Sequence, residues 1–233
     1  MQALFERLRS FDTALLANTI GYIDPTPVHE WYMDGSIRCL TPSRPPTVGV
    51  AVTAEIDSST PLGTADFDEF YRQVEAMEHS ALPSVWVVKA VGSRPGHECI
   101  MGDGMAKLLR AAGCAGAVIE GGVRDVPGIL GADFGVHARG TVVHHCALRM
   151  RRANEPVEVG GITIHPGDCI HAGAEGVIRI PASCMDQLPD RALAMIDFER
   201  DAHEALVRRD LTVAQRRAKV GELLAAYGFV KSA

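Results

Sequence analysis

The chain reads as an α/β protein, and three features of the sequence predict it. Short apolar runs of strand length (residues 48–55, 84–91 and 117–119) alternate with segments whose apolar residues recur at helical spacing. Helix-start signals follow these runs, as at Gly102-Asp103-Gly104 and Arg124-Asp125. Beyond residue 149 the texture changes to short alternating segments parted by Gly-Gly and Pro-Gly turns, and then to a charged helical tail. Together they predict one α/β domain over residues 1–185 and a helical extension over 186–233, packed on that core or on a neighbouring subunit.

In order, residues 4–20 are helical in spacing, with a break at Phe11-Asp12-Thr13 that marks a new N-cap. Residues 21–46 carry Pro25, Pro27, Pro42, Pro45 and Pro46 and read as a long surface connection. Residues 48–55 read as a buried strand. Asp66 and Glu69 make a capping-box pattern before a helix with Phe67, Phe70, Tyr71, Val74 and Met77 on its apolar face. Residues 84–91 are the next strand. Met105, Leu108, Leu109 and Ala112 form the apolar face of a helix that Gly113 and Gly116 end. Residues 117–119 are a short strand, Gly121-Gly122 a turn, and Val123-Arg124-Asp125 the entry to a second helix. Residues 134–139 form another strand. Residues 157–164 alternate about a Gly160-Gly161 hairpin, His165-Pro-Gly-Asp168 is a further turn, and Pro181 stops a strand at 176–181. In the tail, Thr212 and Gln215 form a capping box with Leu211 as its staple, and Gly228 is a C-cap.

Composition narrows the function. With 233 residues, 47% of them hydrophobic, the chain can bury a sizeable core. A formal net charge of −6 argues against nucleic acid or an anionic membrane as the main partner. No apolar stretch is long enough to span a bilayer, and the first residues are helical rather than laid out as a signal peptide. Six cysteines share no CxxC spacing; Cys114, Cys146 and Cys169 read as small buried hydrophobes in a reducing compartment, so the expected location is cytoplasmic.

The chemistry concentrates in residues 101–125. Two helix starts there deliver Asp103, Asp125, Arg124 and unpaired backbone N–H groups. N–H groups at a helix start, here those of Gly104 and Met105, can hold a carboxylate. An arginine matches a carboxylate with two contacts. An aspartate is a hard ligand for magnesium, which typically takes one or two carboxylates and keeps waters or substrate oxygens. The competing reading makes both aspartates N-caps and pairs Arg124 with Asp125 or Glu120.

Several pieces resemble one family: Gly102 to Asp125, Thr47-Val-Gly-Val-Ala-Val-Thr53, Val136-His-Ala-Arg-Gly140, and Glu155-Pro-Val-Glu-Val-Gly-Gly through Pro-Gly-Asp168 to Pro181. The family is that of the 4-hydroxy-4-methyl-2-oxoglutarate aldolases and the regulator of ribonuclease activity A. The resemblance covers residues 12–182. It implies a three-layer α/β/β/α sandwich, like the swivelling phosphohistidine domain, assembled as homotrimers or homohexamers. It also implies class II aldolase chemistry: a divalent cation, most often Mg2+ with Mn2+ an alternative, and cleavage of 4-hydroxy-2-oxo (di)carboxylic acids to pyruvate and a second oxo-acid, with oxaloacetate decarboxylation alongside. Asp125 falls on the family's metal ligand and Arg124 on its pyruvate-binding arginine. Gly104 and Met105 fall where two leucine amides hold the pyruvate carboxylate, and Asp103 on the acid that holds metal-bound water. In the family a C-terminal glutamate reaches a neighbour's metal; Glu204 matches it here, with Glu199 close behind. Glu120, Gly173 and Lys89 depart from aspartates common in the family, which bears on the substrate more than on the metal.

Other chemistries are weighed against this one. Lys89, in Val85-Trp-Val-Val-Lys89, is the candidate for a lysine-dependent aldolase; its bland alternative is an ammonium paired with a carboxylate at the strand end. His137, His144 and His145 lack metal-ligand spacing and read as surface or strand-edge residues. There is no G-x-S-x-G elbow and no dinucleotide fingerprint. A non-catalytic protein that binds a ribonuclease or another basic partner is the alternative from another class.

Overall fold

The computed structural model describes residues 1–61, 64–144 and 147–229, so His145 and Cys146 lie outside the described residues. Helices are α1 (Gln2–Arg9), α2 (Thr13–Ile23), α3 (Asp68–Glu78), α4 (Asp103–Ala111), α5 (Val126–Gly131), α6 (Leu188–Val207) and α7 (Val213–Ala226). Strands are β1 (Arg38–Cys39), β2 (Thr47–Asp57), β3 (Ser84–Ala90), β4 (Cys99–Met101), β5 (Cys114–Val123), β6 (Gly135–Thr141), β7 (Arg149–Ala153), β8 (Val157–Val159), β9 (Ile162–Ile164), β10 (Cys169–Gly173) and β11 (Gly176–Ile180).

The main sheet runs β1-β6-β5-β3-β2-β10-β11, with β4 added to β5 and β7 to β2. Strands β2, β3, β5 and β6 are parallel neighbours, as strand–helix alternation demands. Strands β1, β7, β10 and β11 pair antiparallel.

Period-2 alternation sorts the layers. Trp86 and Val88 of β3 join a core with Phe70, Val74 and Met77 of α3 and with Leu109 of α4. Val85 and Val87 point the other way and meet Val157, Val159, Ile162 and Ile164 of the β8–β9 hairpin, with Ile170 and Val177. Across that interior, Cys169, Ile178 and Ile180 turn outward onto Phe5, Leu8, Leu16 and Ile20 of α1 and α2 and onto Leu188, Ala192 and Met195 of α6. The layers are thus helix, sheet, sheet, helix. Among the described residues no helix is long and apolar enough to cross a membrane.

Local chemistry explains most element ends. Asp12 caps α2, its carboxylate accepting from the Leu15 N–H at 2.7 Å. Gly160 and Gly161 turn the β8–β9 hairpin at φ 58° and 78°, the left-handed pair a two-residue hairpin needs. Thr212 and Gln215 form the reciprocal capping box.

Several expectations are corrected. Gly121 and Gly122 do not turn the chain; they lie within β5, which is ten residues long rather than three. A Cβ at Gly122 would sit 2.4 Å from Val142 Cγ2 and 3.0 Å from the Glu98 carbonyl, so that glycine serves close strand approach. Gly116 likewise sits inside β5 rather than ending α4. The Asp66–Glu69 capping box does not form: α3 starts at Asp68, and the Asp66 amide donates to the Leu148 carbonyl instead. Phe67 and Tyr71 are exposed while Gln73 is buried, its amide donating to the Thr53 carbonyl and its oxygen accepting from the Trp86 indole. On α4 the buried residues are Ala106 and Leu109, and Leu108 faces outward.

The Cys114 and Cys169 thiols are buried, and burial pushes them up to about 11 and about 12. His137 is neither at the surface nor at a strand edge; it is buried on β6 with Nε2 2.7 Å from the Gly173 carbonyl, which can only accept. His144 is exposed.

Candidate active site

Strands β4 and β5 end side by side, with Met101 opposite Val123 and the Arg124 amide donating to the Met101 carbonyl at 3.0 Å. Each strand runs directly into a helix, β4 into α4 and β5 into α5. Two helix starts therefore meet at the carboxyl ends of parallel strands, the usual place for a ligand in an α/β fold. A cleft of about 290 Å3 opens there. Gly102, Asp103, Gly104, Arg124 and Asp125 form its polar end, and Phe67, Met101, Met105 and Leu148 are among its apolar walls.

Two glycines bring the charged groups together. A Cβ at Gly102 would lie 2.8 Å from Asp125 Oδ2 and 3.3 Å from Arg124 Nε. A Cβ at Gly128, in the first turn of α5, would lie 2.8 Å from both Cβ and Oδ2 of Asp103. A side chain at Gly102 would displace the Asp125 carboxylate, and one at Gly128 would press on Asp103 itself. A Cβ at Gly104, by contrast, would meet no atom within 4 Å, so a side chain is accommodated there.

The aspartates do not behave as helix caps. Asp125 occupies the N-cap position of α5, yet its side chain makes no capping hydrogen bond. Its backbone is left-handed (φ 57°, ψ 36°), and Oδ2 lies 3.2 Å from Arg124 Nε. Left-handed conformations are uncommon outside glycine, although aspartate and asparagine tolerate them best. For α4 the N-cap is Gly102, and Asp103 stands in the first turn. The Lys107 ammonium, 2.6 Å from Asp103 Oδ2, holds that carboxyl below the usual carboxylate range. Arg124 and Asp125 are 37% and 47% exposed at the side chain, open enough for a ligand to reach both.

The departures highlighted by the sequence lie elsewhere. Glu120 faces the interior side of the sheet, where it accepts from Arg139 Nη2 and from the Gly160 amide, each at 2.9 Å, so it anchors the β8–β9 turn and does not pair with Arg124. Lys89 stands in register between Glu55 and Glu120, with Nζ 3.9 Å from Glu158 Oε2. That placement realises the carboxylate-pairing alternative. Gly173 packs against Thr13, whose Oγ1 would be 2.4 Å from a Cβ, so an aspartate does not fit without displacement. In the tail, Glu199 Oε1 accepts from Asn18 Nδ2 at 3.0 Å within this chain, whereas Glu204 is exposed.

Sequence reading missed one group of residues. Glu98 is fully buried, its carboxylate accepting from the amides of Ser58 and Ser59, the Ser59 hydroxyl and the Gly92 amide. Asp57 binds Arg149 and Arg151, and burial is outweighed by the Thr60 amide and these guanidiniums, which hold its carboxyl far below the usual range. Cys99 and Leu148, next in sequence to Glu98 and Arg149, line the cleft, so this network braces its wall. The one sequence signal was Glu98 itself, an acid leading straight into the apolar run Cys99-Ile-Met101.

Comparison with known proteins places the chain. Over 135 residues it is 30% identical to a protein of Halalkalibacterium halodurans provisionally named a 4-hydroxy-4-methyl-2-oxoglutarate aldolase, a match spanning 58% of this chain and 59% of that relative. Among solved structures, an uncharacterized protein from Pseudomonas syringae pv. tomato superimposes with a TM-score of 0.70 at 23% identity, covering 94% of each chain. RraAS2 of Streptomyces coelicolor, described as an unusual member of the RNase ES inhibitor RraA protein family, superimposes with a TM-score of 0.67 at 21% identity, covering 88% of this chain and 96% of that one. At those identities the likeness is one of fold. The family model described as RraA-like, Aldolase/RraA, matches residues 27–179, well over half of the sequence, and the chain belongs to that family.

Proposed function

We propose that the protein is a metal-dependent lyase that cleaves 4-hydroxy-2-oxo (di)carboxylic acids to pyruvate and a second oxo-acid, and that also decarboxylates oxaloacetate. The observation that carries this reading is the convergence of Arg124, Asp125, Asp103 and the α4 N-terminal amides in one cleft. Among the described residues no three His, Cys, Asp or Glu side chains gather as a metal cage. An ion that keeps most of its ligands as water and substrate oxygens fits better, and Asp125, beside the space Gly102 leaves open, would hold it. Magnesium suits that donor set, and manganese is the alternative. When bound, such a cation supplies Lewis-acid stabilisation of negative charge on the 2-oxo oxygen.

The chain's own residues supply the rest. The first N–H groups of α4, at Gly104 and Met105, are positioned to bind the substrate carboxylate. The Arg124 guanidinium would offer fixed positive charge to the oxygen on which enolate charge develops, where it counts most. Cleavage requires removal of the C4 hydroxyl proton; the C3–C4 electron pair then passes to C3 as an enolate, and a proton returned to C3 completes pyruvate. Asp103 is the acid at hand to hold or relay that proton. Its Lys107 partner keeps it ionised and so able to accept. Loss of carbon dioxide from oxaloacetate uses the same electron sink.

A pyruvate-release assay on a panel of 4-hydroxy-2-oxo acids and oxaloacetate, with and without magnesium, tests the proposal. Turnover should appear with the cation and vanish with a chelator; turnover that ignores the chelator and is trapped by borohydride at Lys89 would point to a lysine mechanism. Inactivity across the panel would favour the second reading, a non-catalytic partner of a ribonuclease, which rests on the fold shared with RraAS2. We further propose a homotrimer or homohexamer, with Glu204 on the exposed face of α6 available to a neighbouring subunit. Light scattering that shows a monomer at micromolar concentration would refute the assembly. The free thiols at Cys39, Cys99, Cys114, Cys169 and Cys184 support a cytoplasmic location.

A further inference from the structure

A second cleft, of about 210 Å3, lies at the opposite end of the parallel strands, where β2 and β5 begin. Helix α4 joins the two places: Asp103 and Gly104 line the first cleft, Arg110 and Gly113 the second. Three guanidiniums line it from three separate segments, Arg9 at the end of α1, Arg44 in the loop before β2, and Arg110 at the end of α4. Glu6 is the one carboxylate in its lining.

The charges are arranged to leave positive capacity unused. Arg44 and Arg110 both donate to Asp133, Arg110 Nη2 at 3.0 Å from Oδ2, so two cations share one carboxylate. Arg9 makes no ion pair among the described residues. The Arg44 side chain is only 10% exposed and is held by Asp133, so its guanidinium is fixed in the cleft wall. Arg9 and Arg110 stand in the last turns of their helices, where a cation complements the dipole. That role explains neither the cleft nor the buried Arg44.

We propose that this cleft is a second binding site, for a small multiply charged oxyanion, a phosphate or a compact carboxylate, held by Arg9, Arg44 and Arg110 apart from the candidate active site. Oxygen acceptors on such an anion match the forked donors of arginine. The site's size admits inorganic phosphate or a small dicarboxylate, and its position puts the ligand at the far end of α4 from Asp103.

Isothermal titration with inorganic phosphate, and separately with malonate, at fixed ionic strength tests this. Saturable binding with a Kd of about 1 mM or tighter is expected for at least one of the two, and which one binds identifies the source of the oxygens. Arg9→Gln and Arg110→Gln, both at solvent-reachable positions, should each weaken binding about tenfold while unfolding transitions stay near wild type. Arg124→Ala should leave it unchanged. Absence of saturable binding by either anion would overturn the proposal. So would binding that survives Arg9→Gln and Arg110→Gln, and binding lost in Arg124→Ala would assign the anion to the other cleft instead. The outcome is independent of aldolase turnover.

Discussion

Asp125 carries three properties at once: a left-handed backbone, a carboxylate that caps nothing, and a neighbouring guanidinium 3.2 Å away. Asparagine tolerates the same backbone and caps as well as aspartate. Asp125→Asn should therefore leave the unfolding transition nearly unchanged while removing metal-dependent turnover, measured by pyruvate release and by magnesium titration. An active variant with unaltered metal dependence would make Asp125 a structural residue. Arg124→Lys keeps the charge and loses the fork, so kcat/KM should fall by about 2–4 kcal/mol of transition-state stabilisation. The juxtaposition of Arg124 and Asp125 was legible in the sequence because the two residues are adjacent. Glu98 and Asp57 were not, because Ser58, which Glu98 holds, and Arg149, which holds Asp57, stand about forty and ninety residues away.

At the scale of elements, glycine means different things on neighbouring segments. Gly122 is clamped between Val142 and the Glu98 carbonyl in β5, whereas Gly104, in the first turn of α4, faces open space. Gly122→Ala should destabilise the fold by about 1–3 kcal/mol, because the strand must move to admit a methyl group. Gly104→Ala should stabilise it by up to about 1 kcal/mol, since alanine costs less backbone entropy in a helix. Chemical denaturation of both variants measures the contrast, and equal effects would contradict the packing described for β5. The sequence reading took Gly121-Gly122 as a turn because a Gly-Gly pair has the same local signal in either setting. The neighbours that decide between them, Val142 and Glu98, flank β6 and β4.

For the molecule as a whole, the buried histidines set a pH limit. His171 is fully buried, with Nδ1 3.0 Å from Thr13 Oγ1 and Nε2 3.2 Å from the Leu8 carbonyl, which can only accept. Nε2 therefore carries a proton, and burial favours the neutral ring. Burial lowers its pKa from 6.5 to about 4, and burial lowers that of His137 as well. The unfolded chain then binds more protons in this interval. Stability from the neutral ring is fully present above pH 6.5 and is lost as pH falls toward 4, by roughly 3 kcal/mol for His171. Urea denaturation at about pH 7 and about pH 5 should show the loss, and His171→Gln should flatten much of it. A pH-independent midpoint over that range would mean that the ring is not buried neutral.

What the sequence determined by itself is what depends on a few adjacent residues. Asp12 starts α2, Gly160-Gly161 turns the hairpin, Thr212 and Gln215 cap α7, and strand–helix alternation makes β2, β3, β5 and β6 parallel. The motif around Gly102 and Arg124-Asp125 likewise named the candidate site, because helix starts and their flanking charges are local signals. The tertiary structure decided which face each residue uses and what it meets there. Glu120 turns to the β8–β9 hairpin instead of Arg124, Lys89 falls among carboxylates, His137 and His171 are sealed in, and Asp57 and Glu98 brace the cleft wall. Strand register and burial fix those partners through contacts between distant parts of the chain, and no short window of sequence contains them.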